Sequence, residues 1–215
     1  MARKTKKDAQ KTRQQLIEAA IGQFATRGVA NTTLTDIADA ARVTRGAVYW
    51  HFSSKSEIFN AIWEQQLPLR EIIRDKLSLS EDDDPLLMLR EQFITTLQYI
   101  AHEPRQYALL QILYHKCEFS NEVISECEIR KRIGINDDCL RKTLELCVLK
   151  NAISPSVNID LTLIVFHGFF SGLIKNWLMN RDSFNLYQQA PALVDNILAT
   201  LHSTRVSPAV YGVAL

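Results

Sequence analysis

Glycine and proline are scarce in this chain of 215 residues, seven and six respectively, together about half of the roughly 12% that is usual. So few breakers leave little room for the turns of a β-sandwich or barrel, and helices are favoured. Cysteine is also sparse. None of Cys117, Cys127, Cys139 and Cys147 stands in a Cys-x-x-Cys pair, so the spacing offers no zinc-ribbon pattern. The first residues hold no apolar leader-like run, so reduced thiols in a cytoplasmic protein are expected. The most apolar stretch, 161–174, is interrupted by His167, Gly168, Ser171 and Gly172. It falls short of the ~18 uninterrupted residues that a membrane span needs, which predicts a buried helix and no membrane partner. Strand alternation of convincing length, internal repeats, Gly-rich phosphate loops, nucleophile elbows and paired-acid arrangements are all missing. His115, Cys117 and Glu118 invite a metal reading, but positions two apart on a helix face different ways and no second pair stands at zinc spacing. No catalytic residue, metal or cofactor is expected.

The formal net charge of +1 hides an asymmetry. Residues 1–56 carry Arg3, Lys4, Lys6, Lys7, Lys11, Arg13, Arg27, Arg42, Arg45 and Lys55 against Asp8, Glu18, Asp36 and Asp39. The remainder of the chain is mildly acidic. A basic quarter on an acidic body suits a nucleic-acid-binding head, although a solvated basic tail gives the same count.

Apolar periodicity predicts a first helix over about Asp8 to Thr26, with Leu16, Ile17, Ala20, Ile21 and Phe24 on one face and Gly28 ending it. Two capping boxes follow, Thr33-Leu34-Thr35-Asp36 and Ser54-Lys55-Ser56-Glu57, each opening a helix. Further helices are expected over 86–102, 105–117, 121–150, 159–180 and 187–202, with a loop at the acidic run 81–84.

Residues 33–52 fit a helix-turn-helix, whose second helix lies in the major groove with its N-terminal residues against base edges. Arg45 can pair bidentately with guanine O6 and N7. Gly46 lets backbone approach the duplex, and Thr44 can cap the helix and touch phosphate. Tyr49, Trp50 and His51 suit phosphate or methyl contacts. Lys55 and Thr33, each at a helix start, make phosphate sites. Lys4, Lys6 and Lys7 can reach an adjacent groove as an arm. From Ala40 to Ser56 there is no acidic side chain.

Thr12-Arg13, Phe24-x-x-x-Gly28, Thr33-Leu34-x-Asp36-Ile37-Ala38, Val43-Thr44-Arg45-Gly46 and Tyr49-Trp50-His51-Phe52-x-x-Lys55 together resemble the N-terminal domain of the TetR family of transcriptional repressors. Residues 113–119 and 171–178 resemble its AcrR branch, which controls multidrug efflux pumps. The resemblance covers nearly the whole chain up to about Ser203. One departure stands out: Arg42 occupies the turn position where the family usually has glycine, which implies a positive φ costing on the order of 1 kcal/mol.

The resemblance implies an all-α protein. A basic arm (1–12) and a three-helix DNA-binding domain (8–56) would precede a helical ligand-binding and dimerisation domain (57–203), with a frayed tail (204–215). Aromatics at helical spacing are more often packed core than ligand contacts. As a set, however, Trp63, Phe93, Leu110, Tyr114, His167, Phe170 and Ser171 are expected to line a roomy apolar pocket with a few polar groups. Apolar residues on more than one face of the last two helices, among them Leu161, Val165, Leu193, Ile197 and Leu201, predict burial against a second copy. The expected function is a homodimeric repressor on a palindromic duplex, released by a small apolar or amphipathic molecule. A ligand-responsive activator or dual regulator is the alternative. A small-molecule binder without DNA function would leave the surface at 33–55 unexplained, and an enzyme would require a catalytic constellation that is not visible.

Overall fold

The computed structural model describes residues 6–74, 76–77, 84–119, 123–134 and 136–201. Arg3 and Lys4 of the expected arm, most of the acidic run, and the tail from position 202 lie outside the described residues. Among those described there is no strand, and the fold is all-α. Its helices in chain order are α1 (Lys6–Arg27), α2 (Leu34–Ala40), α3 (Arg45–His51), α4 (Lys55–Glu64), α5 (Leu69–Arg74), α6 (Pro85–His102) and α7 (Pro104–Gln111). A π-turn (Ile112–Lys116) follows, then α8 (Glu126–Ile133), α9 (Asp137–Leu149), α10 (Ile159–Met179) and α11 (Leu186–Ala199).

Polar caps set most of these starts. Thr33, Thr44, Ser54, Asp84, Ser125, Asn136, Asn158 and Asn185 each precede a helix and accept a backbone N–H with a side-chain oxygen, satisfying donors the helix cannot satisfy itself. Leu16, Ile17, Ala20 and Phe24 of α1 pack with Ile37, Val48, Phe52, Ile58 and Phe59 in one core that continues into the helical body. Gly28, at φ +85, closes α1.

The course of the helices departs from the sequence reading in several places. Lys6 and Lys7 begin α1 rather than an arm. The single helix expected over 121–150 is two helices, because Gly134 ends α8 by donating to Arg130 O at 2.8 Å. A Cβ at that position would stand 2.4 Å from the same carbonyl oxygen. The helix expected over 105–117 gives way to the π-turn at Ile112. Finally, α10 is not wholly buried. It turns Leu163, Phe166, Phe170 and Trp177 inward but leaves Leu161, Ile164 and Val165 exposed, Ile164 at 69%. By length and composition alone it could cross a membrane.

The partner helix α11 faces α6, burying Ala190, Val194, Ile197 and Leu198, with Leu201 just beyond its end. Pro191 sits inside α11 and denies the Tyr187 carbonyl its helical donor. Gln98 Nε2 of α6 reaches that oxygen at 3.4 Å instead. Arg90 of α6 also grips Asp195 with Nε and a terminal nitrogen, at 2.6 and 3.0 Å.

Candidate functional site

The basic head is built around α2 and α3. Thr33 Oγ1 accepts the Asp36 N–H at 3.1 Å, and the Asp36 carboxylate accepts the Thr33 N–H at 2.8 Å and its hydroxyl at 2.6 Å. Arg27 adds an ion pair at 2.6 Å. The Thr33 hydrogen bonds, with Arg27 beside them, hold the Asp36 carboxyl down at about 2, from an ordinary 3.8. Thr33 is therefore committed to capping α2.

The turn between α2 and α3 closes as a Schellman motif. The Arg42 N–H donates to Asp39 O and the Val43 N–H to Ala38 O, both at 3.0 Å, with Arg42 at φ +55. This is the left-handed position that such a motif needs and that glycine fills without strain. The Arg42 side chain is exposed.

Thr44 Oγ1 caps α3 by accepting the Ala47 N–H at 3.2 Å. Arg45, on the first turn, donates to the Tyr49 hydroxyl at 3.1 Å and lies 5.5 Å from the centroid of its ring. A Cβ at Gly46 would meet only Thr44 Oγ1, at 3.9 Å, so nothing inside the protein requires glycine there. Trp50 is 71% exposed with its indole edge-on to His51, and Tyr49 is half exposed. Large aromatics left in water beside an exposed arginine on one short helix form a surface that a packed core does not explain.

Lys55 differs from expectation. Its ammonium donates to Val29 O at 2.6 Å and Ala30 O at 3.1 Å, so two of its three N–H donors are engaged within the protein. The second capping box is also not the expected reciprocal pair. Ser54 Oγ accepts the Glu57 N–H at 3.1 Å, while the Glu57 carboxylate takes the N–H and hydroxyl of Ser53 at 2.7 and 2.8 Å.

The body encloses a cavity of about 830 Å³, within the ~300–1,000 Å³ of small-molecule sites. Phe93, Leu110, Tyr114, His167, Phe170 and Ser171 all line it. Trp63 does not. It is fully buried against Phe59, with ring centroids 6.0 Å apart, and its Nε1–H has no hydrogen-bond acceptor. The sequence reading missed the charged part of the lining, above all Glu126, Arg130 and Lys131 of α8. The signal was there in the i,i+4 pairs Glu126–Arg130 and Glu128–Arg132, which mark a short helix with its own exposed face.

Hydrogen bonds from α1, the loop after it and α4 reach the helices around the cavity. The Val29 N–H donates to Lys116 O of the π-turn at 2.8 Å, two residues from Tyr114. Asn60 Oδ1 of α4 accepts the Ile124 N–H at 2.8 Å, one residue from Ser125. Arg105 of α7 donates to Glu18 of α1 at 3.1 Å and to Gln66 Oε1, just past α4, at 2.7 Å.

Elsewhere, Cys117 and Cys147 have their thiols pushed up to about 11, chiefly by burial. All four cysteines are free. Among the described residues, no group of three or more His, Cys, Asp or Glu stands close enough to hold a metal ion.

Comparison with known proteins gives the architecture a lineage. Residues 16–62 match the model of bacterial regulatory proteins of the tetR family. Residues 84–203 match that of the C-terminal region of MAATS-type transcriptional repressors. The chain is 53% identical over 198 residues to the probable acrEF/envCD operon repressor of Escherichia coli K12, covering 92% of this chain and 90% of that protein. Among solved structures it resembles NalD, the secondary repressor of the MexAB-OprM multidrug efflux pump in Pseudomonas aeruginosa. There the TM-score is 0.72 at 29% identity, over 93% of this chain and 100% of that one. It also resembles SmeT bound to triclosan, with TM-score 0.71 at 25% identity over 88% and 91% of the two chains. The chain belongs to the TetR family of transcriptional regulators.

Proposed function

We propose that the chain is a homodimeric repressor that binds a palindromic operator through α3 and is released when a small apolar or amphipathic molecule occupies the cavity. The observation that carries this reading is the joining of two unlike sites in one protomer. An exposed basic and aromatic helix is tied through α4 and the π-turn to the wall of an apolar cavity. The relatives that repress efflux-pump operons support genes for such a pump as the target, in the cytoplasm where the operator lies. SmeT bound to triclosan supports a small-molecule effector.

The geometry supports a role for each residue. Arg45 reads a base edge and Gly46 admits backbone to the duplex. Tyr49, Trp50 and His51 contact phosphate and sugar, as do the exposed Arg42 and the free hydroxyl proton of Thr44. Lys55 serves first as a latch between α4 and the end of α1, with one donor left for a phosphate. Residues 8–56 act as the reading head and 57–203 as the effector and pairing body. The exposed stripe Leu161, Ile164 and Val165 meets its symmetry mate, with half-buried Leu193 at its margin. Ile197 and Leu201 belong to the protomer's own core and are withdrawn from that interface. A two-fold arrangement would set two heads ~34–36 Å or a multiple apart, as a palindrome requires.

A bound molecule that displaces Tyr114 or α8 shifts Lys116 and Ile124, and through them Val29 and Asn60. A coupling of about 1–3 kcal/mol would weaken operator binding about 5–150-fold. The test is a gel shift on the duplex upstream of this chain's own gene, with and without amphipathic drugs and dyes. Specific retardation relieved by at least one compound is expected. Indifference to that duplex and to efflux-operon promoters at low ionic strength would end the proposal.

A further inference from the structure

The ionisable groups around the cavity are unbalanced in a way that bears on what enters it. Two carboxylates reach the lining, and each is bound to a base of this chain. Glu126 Oε1 accepts from Arg130 Nε at 2.7 Å, and Asp137 Oδ1 is hydrogen-bonded to His167 Nε2. Arg130 is held further by Tyr114, donating to the hydroxyl at 3.0 Å with its guanidinium carbon 4.5 Å from the ring centroid. Having accepted that bond, the phenol keeps its own proton to donate. Arg70 of α5 and Lys131 of α8 complete the charged lining, and neither forms an ion pair with an acid among the described residues.

A cationic guest would meet carboxylates already engaged through one oxygen each by Arg130 and His167, and at Glu126 it would share the acid with a guanidinium that repels it. An anion meets no such competition at Arg70 and Lys131. Arg70 and Lys131, both exposed, stand on the lining together with the remaining N–H groups of Arg130 and the Tyr114 hydroxyl, and charge-assisted bonds from such donors are the strong ones.

Taking the cavity as the effector site proposed above, we infer that the effector is an amphipathic organic anion. Its apolar body lies against Phe93 and Phe170, and its acidic group sits at the Arg130–Lys131 edge.

Three probes of one shape test this by titration calorimetry on the full chain: biphenyl-4-ylacetate, biphenyl-4-ylmethanol and biphenyl-4-ylmethylammonium. The anion should bind about tenfold more tightly than the alcohol, the worth of one charge-assisted hydrogen bond, and the ammonium least tightly. Added salt should narrow the gap. Lys131→Glu, a change at an exposed position, should weaken the anion about tenfold and spare the alcohol. If the alcohol binds but the anion has no advantage over the ammonium, the charge inference falls while the effector cavity stands. If none of the three binds, both fall.

Discussion

Arg42 holds the hinge of the reading head in a backbone conformation that L side chains resist. Its φ of +55 carries a cost of about 1–2 kcal/mol. Arg42→Gly should therefore raise stability by about 1 kcal/mol, less the entropy glycine returns to the unfolded chain, seen as a higher urea midpoint at unchanged slope. The same variant should bind DNA more weakly, since the exposed guanidinium is lost. For Arg45 the expected loss is in discrimination. Arg45→Ala should cost ~1–3 kcal/mol of preference for operator over random duplex, read by competition anisotropy, and an undiminished preference would strip Arg45 of its role as base reader. The strain at Arg42 was legible through the family resemblance, which puts glycine at that turn, whereas the placement of Lys55 was not. A lysine at a helix start beside a basic loop reads as a phosphate ligand. Only the folded path of residues 28–30 shows two carbonyls waiting for it.

At the scale of the element, α2 is pinned by a carboxylate with a sharp acid limit. The Asp36 carboxyl is lowered from 3.8 to about 2, so the folded state prefers the ionised form. Its stabilising contribution is complete above pH 3.8 and is lost as the pH falls through 2. The Thr33 amide should become easier to exchange over that interval, followed by NMR, and Asp36→Asn should remove the acid step. Helix starts of this kind were readable because caps are local, and Thr33, Thr44 and Ser54 all stand where they were expected. The division of α8 from α9 was not. Gly134 looks like a tolerated glycine within a periodic stretch, and the collision of a Cβ with Arg130 O exists only once the chain has turned. The cavity's apolar wall could be anticipated from α6 and α10, whereas the i,i+4 pairs of α8 marked a short helix with an exposed face but not that this face borders the cavity.

For the molecule as a whole, the proposed function rests on communication and on pairing. Asn60→Ala removes the acceptor for Ile124 N–H and should leave operator affinity within about threefold while cutting the effector's influence on it, a loss of part of the ~1–3 kcal/mol coupling. Anisotropy titrations with and without effector measure both quantities. Ile164→Lys puts a charge on the exposed stripe of α10 and should halve the molar mass seen by sedimentation. Tight operator binding should go with it, because two heads on one palindrome reinforce each other only when joined. Trp63 shows the limit of reading tertiary structure from spacing. Nothing in the pattern distinguishes an indole that faces a cavity from one sealed behind Phe59.

The greasy stripe along α10 has a further consequence for dosage. With that stripe as the pairing face proposed above, a lone subunit carries it uncovered, so newly made chains at low copy number are the ones most open to proteolysis and clumping. For a repressor active only as the proposed homodimer, the population able to silence a promoter grows with the square of expression where subunits are mostly unpaired. A modest fall in synthesis then lifts silencing abruptly, with no inducing compound needed.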